Sequence, residues 1–122
     1  MRPRVLAVDD SATMRRLIES TLSPRGFDVF LAEDGVEGLA RLAAVDPHVV
    51  ITDINMPRLD GFGVIAGVRQ SPTHGGIPVL VLTTETGADL KARAREAGAT
   101  GWLVKPFEDD RLVNVLRRVL AI

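Results

Sequence analysis

The sequence predicts an α/β domain: a doubly wound, five-stranded parallel sheet covered by five helices. Three observations predict it. Short apolar runs alternate with segments of helical periodicity from one end of the chain to the other. Two of those runs, His48–Thr52 and Ile77–Leu82, are apolar without alternation, the composition of strands buried on both faces. The length of 122 residues suits one domain with a single well-buried core, residues 1–122 forming one unit.

Residues 4–8 form an apolar run that ends in Asp9-Asp10, and Ser11 can cap a helix in which Met14, Leu17, Ile18 and Leu22 share one face. Ser23-Pro24-Arg25-Gly26 stops that helix, and Phe27–Ala32 reads as a second strand whose mixed polarity suits a sheet edge. Asp34 with Glu37 three residues on resembles a capping box, followed by Val36, Leu39, Ala40 and Ala43 at helical spacing. Asp46-Pro47 ends this helix. The third strand follows to Asp53, which opens the turn-rich stretch Asn55–Gly61.

Asp60-Gly61 starts a helix with Phe62, Ile65 and Ala66 inward, and Ser71-Pro72 ends it. After the Gly75-Gly76 loop, Ile77–Leu82 is the fourth strand and runs into Thr83-Thr84-Glu85-Thr86. Residues 88–97 form a fourth helix whose inward side chains Leu90, Ala94 and Ala97 are small, with Lys91, Arg93 and Arg95 outward. Small burial predicts weak anchoring. Gly98 suits its C-terminal cap, Trp102-Leu103-Val104 makes a fifth strand ending at Lys105-Pro106, and Leu112, Leu116 and Val119 mark the last helix.

Composition excludes several classes of function. Fifteen Lys and Arg against 16 Asp and Glu give a net charge of -1, so no nucleic-acid or anionic-membrane partner is expected. The absence of cysteine removes disulfides, thiolate metal sites and thiol catalysis. The N-terminal run Val5–Val8 is too short for a signal sequence or a spanning helix, and a soluble, cytoplasmic protein is expected. His48, at a strand start, and His74, in a Gly-rich loop, read as ordinary surface residues.

In a parallel sheet every strand's C-terminal end points to one edge, so Asp9, Asp10, Asp53, Thr83 and Lys105 should gather there. Singly, each has a plain reading: a helix cap for Asp9-Asp10 and Thr83, a turn cap for Asp53, a neutralising partner for Lys105. Their convergence favours a site. Carboxylates about 4 Å apart repel by about 4 kcal/mol per pair at an effective dielectric near 20, so a charge-balancing ion is expected. An all-oxygen set suits a hard cation such as Mg²⁺, which shares its sphere with phosphate. Lys105 offers a point charge and Thr83 a hydroxyl to a phosphoryl oxygen, leaving Asp53 as the nucleophile.

The chain resembles a two-component response-regulator receiver domain of the single-domain, CheY-like kind. The matching pieces are Val8-Asp9-Asp10-Ser11 with Thr13-Met14-Arg15-Arg16, Thr52–Pro57 with Leu59-Asp60-Gly61, Leu82-Thr83-Thr84-Glu85, and Gly98–Phe107. The resemblance implies the flavodoxin-like strand order 2-1-3-4-5, an order carried over from the family. It implies that Asp53 accepts a phosphoryl group from the phosphohistidine of a histidine kinase. Asp10 and Asp53 would bind Mg²⁺ directly with the backbone carbonyl of Asn55, and Asp9 would bind it through a water. Lys105, before a cis Pro106, would pair with one phosphoryl oxygen and the Thr83 hydroxyl would move to another. The side chains of Asn55 and Glu85 would tune how fast water removes the phosphoryl group.

For signalling, the resemblance implies that inward movement of Thr83 lets the aromatic at Trp102 repack, reshaping the face made by the fourth helix, fifth strand and last helix. Trp102 departs from the more usual Tyr or Phe, and Thr84 stands where a smaller residue is common and would narrow access to Asp53. Lys91, Arg93, Arg95, Arg111, Arg117 and Arg118 would make that face basic. The chain ends directly after the last helix without an output domain, so a monomer signalling by docking is expected. The expected output is chemotaxis, through a flagellar motor switch protein, with a phosphatase as a further partner. The sister reading is a phosphorelay intermediate or phosphate sink. Neither is a turnover enzyme. A haloacid-dehalogenase-type phosphatase is the competing enzyme, disfavoured because Asn55 replaces the acid expected two residues after the nucleophile.

Overall fold

The computed structural model describes residues 2–122. Its strands are β1 (Arg4–Val8), β2 (Asp28–Ala32), β3 (Val49–Thr52), β4 (Val79–Thr83) and β5 (Gly101–Val104). Its helices are α1 (Ala12–Leu22), α2 (Gly35–Ala40), α3 (Leu42–Val45), α4 (Gly61–Gln70), α5 (Ala88–Ala97) and α6 (Asp109–Leu120). The strands lie in the order β2-β1-β3-β4-β5 and every neighbouring pair is parallel, as expected. Among the described residues no helix is long and apolar enough to cross a membrane.

Period-two alternation divides the core between the sheet's two faces. Val5, Ala7, Val49, Ile51, Leu80 and Leu82 pack with Ile18 and Leu22 of α1 and with Leu112, Val113 and Leu116 of α6. Leu6, Val8, Val50, Val79 and Val81 pack on the other face with Leu42, Val45, Val64, Ile65, Val68 and Ala94. Both faces are covered, which is why the central strands read as unbroken apolar runs. Mixed β2 pairs only with β1, at the edge.

The helix starts follow the expected caps. The Ser11 hydroxyl accepts from the Met14 N–H, Asp34 from Glu37, and Asp60 from Gly63. Gly98 ends α5 in the left-handed region at φ 113°. The Lys105–Pro106 peptide is cis.

The inward faces of α1 and α2 differ from expectation. Leu17 is 41% exposed, because α1 is turned so that Thr21 meets α6, its hydroxyl donating to Asp109 at 3.3 Å. The second predicted helix divides at Arg41 into α2 and α3, with Gly35, Gly38, Leu42 and Val45 inward and Val36, Ala40 and Ala43 exposed. Close approach explains the turn. A Cβ on Gly38 would lie 2.7 Å from a Val8 methyl, so the glycines let α2 lie against β1.

The two histidines are not surface residues. His74 is buried, its Nε2 lying 2.7 Å from an Asp46 carboxylate oxygen and its Nδ1 3.0 Å from the Thr73 hydroxyl. His48 is half-buried and its Nδ1 accepts from the Arg4 N–H at 2.9 Å. Both satisfy polar groups at the sheet edge opposite the predicted site, where Asp46 adopts φ 51° and also pairs with Arg4.

Of α5 only Ala94 is buried, and its N-cap Gly87 supplies no side-chain hydrogen bond, so weak anchoring holds. Arg93 does not simply point outward: its guanidinium lies over the Phe62 ring of α4, 3.8 Å from the centroid.

Candidate functional site

The C-terminal edge of the sheet brings the predicted residues together. Val8 pairs with Thr52, so Asp9 and Asp53 leave adjacent strands side by side, and the Asp53 N–H donates to the Val8 carbonyl at 3.1 Å. From the far side of β4, Lys105 follows β5, its N–H donating to the Thr83 carbonyl at 2.8 Å. Its Nζ reaches Asp9 Oδ2 and Asp53 Oδ2, each at 2.7 Å.

Each carboxylate has a distinct environment. Asp9 is 2% exposed, and its other oxygen accepts from the Ser11 N–H at 2.9 Å. Asp53 Oδ1 accepts from the Ile54 N–H at 2.6 Å, while the Thr52 hydroxyl donates to the Asp53 carbonyl at 2.8 Å. Asp10 is exposed, and its carboxylate has no hydrogen-bond partner among the described residues. One oxygen from each of Asp9, Asp10 and Asp53 lies within 4.8 Å of the others.

Three carboxylates against one ammonium leave the cluster negative. Burial works against the Lys105 charge, but its hydrogen bonds to Asp53 and Asp9, and the charges of both, outweigh it and hold the lysine above its ordinary pKa. The donor set is entirely oxygen, Asp10 is uncommitted, and Asp9 is committed on both oxygens. That set fits a hard divalent cation approached directly by Asp10 and less directly by Asp9.

Thr83 is completely buried, and its hydroxyl accepts from the Glu85 N–H at 3.3 Å. Glu85 in turn accepts from the side-chain amide of Asn55 at 2.7 Å, joining the loops after β3 and β4. The Asn55 amide is therefore engaged, and no carboxylic acid stands two residues after Asp53. Trp102 lies opposite Val81 on β5, half-buried against the Val79, Val81 and Ala94 cluster. With Lys91, Ala94, Arg95 and residues 99–101 it lines a cleft of about 50 Å³, away from the carboxylates.

Three further residues support the site in roles that the sequence did not assign. Arg15 of α1 donates to the Asp9 carbonyl at 2.7 Å. Gly61 packs against the Asp53 backbone, where a Cβ would collide with the Asp53 carbonyl oxygen and lie 2.8 Å from Ile54 Cα. Arg58 pairs with Asp34 across the loop after β3. Arg15 and Gly61 stand within the motif pieces that carry the family resemblance, and Arg58 lies between two of them.

The response regulator receiver domain family matches residues 5–117. The chain is 43% identical to chemotaxis protein CheY1 of Helicobacter pylori over 120 residues, covering 97% of each. It is 36% identical to protein PilG of Pseudomonas aeruginosa over 114 residues, 93% of this chain and 84% of that one. Among solved structures, chemotaxis protein CheY4 of Vibrio cholerae matches with a TM-score of 0.93 and 42% identity, over 98% of this chain and 99% of that one.

Proposed function

The chain belongs to the response regulator receiver family, and from that premise we propose that Asp53 accepts a phosphoryl group from the phosphohistidine of a histidine kinase. The observation that carries this reading is the Lys105 ammonium shared between Asp53 and Asp9 at 2.7 Å, beside the uncommitted Asp10. In the transfer, the bond from phosphorus to the kinase imidazole nitrogen breaks and a bond to an Asp53 carboxylate oxygen forms. The Ile54 N–H and the Thr52 hydroxyl hold Asp53 and its backbone still. Lys105 keeps Asp9 and shifts its second hydrogen bond from Asp53 to a phosphoryl oxygen, so the ammonium stays paired throughout. Mg²⁺, held by Asp10, Asp53 and the Asn55 carbonyl and reached by Asp9 through a water, would supply positive charge to the phosphoryl oxygens.

Thr83 moves its hydroxyl from the Glu85 N–H to the phosphoryl group, and Trp102 repacks beside α5. The altered face of α5, β5 and α6 then binds a downstream protein. The chain is a switched binding module that helps phosphorylate and dephosphorylate its own Asp53, and it has no separate substrate to turn over. Similarity to two chemotaxis proteins supports chemotaxis as the output, with a flagellar motor switch protein as listener.

The test is to add a small acyl phosphate with and without Mg²⁺ and follow intact mass and the fluorescence of Trp102, the single tryptophan. One phosphoryl adduct is expected, dependent on Mg²⁺ and absent in Asp53→Asn. Steady release of phosphate from unrelated phosphoesters would overturn the reading in favour of a phosphatase. Capture of a motor switch protein by the phosphorylated wild type and not by Asp53→Asn supports chemotaxis. Its failure points to a relay or sink.

A further inference from the structure

Arg58 combines an unfavourable backbone with a precise side-chain contact. It adopts φ 67°, a region that residues with a Cβ rarely enter. Its guanidinium grips Asp34 with both arms, Nε to Oδ2 at 2.8 Å and a terminal nitrogen to Oδ1 at 3.0 Å. Asp34 is a fixed anchor: it is buried, and the same Oδ1 caps α2 by accepting from the Glu37 N–H at 2.9 Å. The hydrogen bonds from Arg58 and from the Glu37 backbone hold the Asp34 carboxyl below the usual aspartate range, so the pair is ionic.

The next residue repeats the attachment through the backbone. The Leu59 carbonyl accepts from the Gly35 N–H at 3.2 Å, and a Cβ on Gly35 would lie 2.8 Å from Leu59 Cβ. The first turn of α2 thus holds residues 58–59. At the loop's other side, the Gly61 N–H donates to the Ile54 carbonyl at 2.8 Å. The α2 anchor is itself tied to the site, because Ala32, two residues before Asp34, accepts from the Asp9 N–H at 3.1 Å. Asn55 lies in the span between these attachments.

We propose that the Arg58–Asp34 pair is a positioning strut that sets the loop after Asp53, and with it the Asn55 carbonyl, in the arrangement that binds a divalent cation. The inference rests on the phosphoacceptor reading and adds two residues to it. A purely stabilising role fits poorly. The Arg58 side chain is 59% exposed, where ion pairs contribute little, and the contact keeps an arginine in a backbone region that opposes folding.

The experiment titrates the metal-stripped 122-residue chain with Mg²⁺ by calorimetry and measures its urea unfolding without Mg²⁺. Arg58→Gly removes the fork and relieves the backbone, while Asp34→Asn keeps a competent cap and loses the ionic pair. Both are expected to weaken Mg²⁺ binding by about tenfold, the scale of losing a residue that orients a metal ligand. Their metal-free unfolding midpoints should stay close to wild type. Arg58→Lys keeps the charge without the fork and should fall between. Unchanged Mg²⁺ affinity in both Arg58→Gly and Asp34→Asn, beside a wild type that binds Mg²⁺ and is phosphorylated on Asp53, overturns the strut alone. A wild type that does neither overturns the phosphoacceptor reading and the strut with it.

Discussion

Replacing Asp10 by Asn should make the metal-free protein more stable. Asp10 faces Asp9 and Asp53 with carboxylate oxygens within 4.8 Å, and at an effective dielectric of about 20 each repulsion is about 3.5 kcal/mol or more before screening. Lys105 offsets one of the two, since it is bonded to both of those carboxylates and to no part of Asp10. About one repulsion remains. Asp10 is exposed, so solvent and salt reduce it to roughly 1–2 kcal/mol, equivalent to a rise of about 4–8 °C in Tm for a domain of this size. The assay is thermal unfolding of wild type and Asp10→Asn at pH 7, in a chelator and again in Mg²⁺ at about a hundredfold excess over the wild-type Kd. Excess Mg²⁺ should raise the wild type by about 2.7 kcal/mol and leave Asp10→Asn where it was, reversing their order. A variant no more stable than wild type in the chelator would refute the crowding of charge. A variant that responds to Mg²⁺ as wild type does would refute the role of Asp10 as ligand.

Gly61→Ala should destabilise the fold by about 2 kcal/mol in urea unfolding, because the new methyl meets rigid backbone at Asp53 and Ile54. Gly76→Ala, which meets nothing within 4 Å, should change it by less than about 0.5 kcal/mol; equal effects would show that the contact at Asp53 carries no strain. Asp46→Asn should lower stability at neutral pH, with a deficit that closes in acid. The hydrogen bond from His74 holds the folded Asp46 below its ordinary value of 3.8, so its contribution is present above that pH and is lost as pH falls through the folded pKa. Unfolding of both proteins from pH 6 to pH 3 measures it, and a deficit independent of pH would refute the pairing.

The strand ends were legible because a parallel sheet carries its own geometry. Once His48–Thr52 and Ile77–Leu82 read as doubly buried strands, residues after them had to share an edge, and Asp9, Asp10, Asp53 and Lys105 do. Residue type and spacing alone did not order the trio; the family resemblance did. Asp9 and Asp10 are adjacent and chemically alike, yet one is 2% exposed and doubly bonded and the other is exposed and uncommitted. The α2 face failed where glycine replaced side-chain volume: Gly35 and Gly38 face inward, and counting apolar residues picked Val36 and Ala43 instead. Arg58 with Asp34, and His74 with Asp46, are separated by 24 and 28 positions, and no periodic pattern relates residues that far apart.

The hydrogen bonds at the site also bound how far phosphorylation could drive the proposed switch. Only interactions that differ between the two states shift their ratio. Lys105 is bonded to Asp53, and under the proposed transfer it would exchange that partner for a phosphoryl oxygen, so its contribution to the shift would be small. Under that proposal the Thr83 hydroxyl would be the group that gains, exchanging a 3.3 Å contact with the Glu85 N–H for a charged acceptor. One such hydrogen bond is worth about 1.5–3 kcal/mol, a shift of roughly 10- to 150-fold, whereas moving a population from 1:99 to 99:1 takes about 5.5 kcal/mol. Phosphorylation would then leave α5 divided between two arrangements, consistent with a helix that buries only Ala94 and leans on Phe62 through Arg93. The remaining free energy would have to come from the protein proposed to bind the switched face. By linkage, such a partner would favour the phosphorylation equilibrium of Asp53 by the same factor by which phosphorylation raises affinity for the partner.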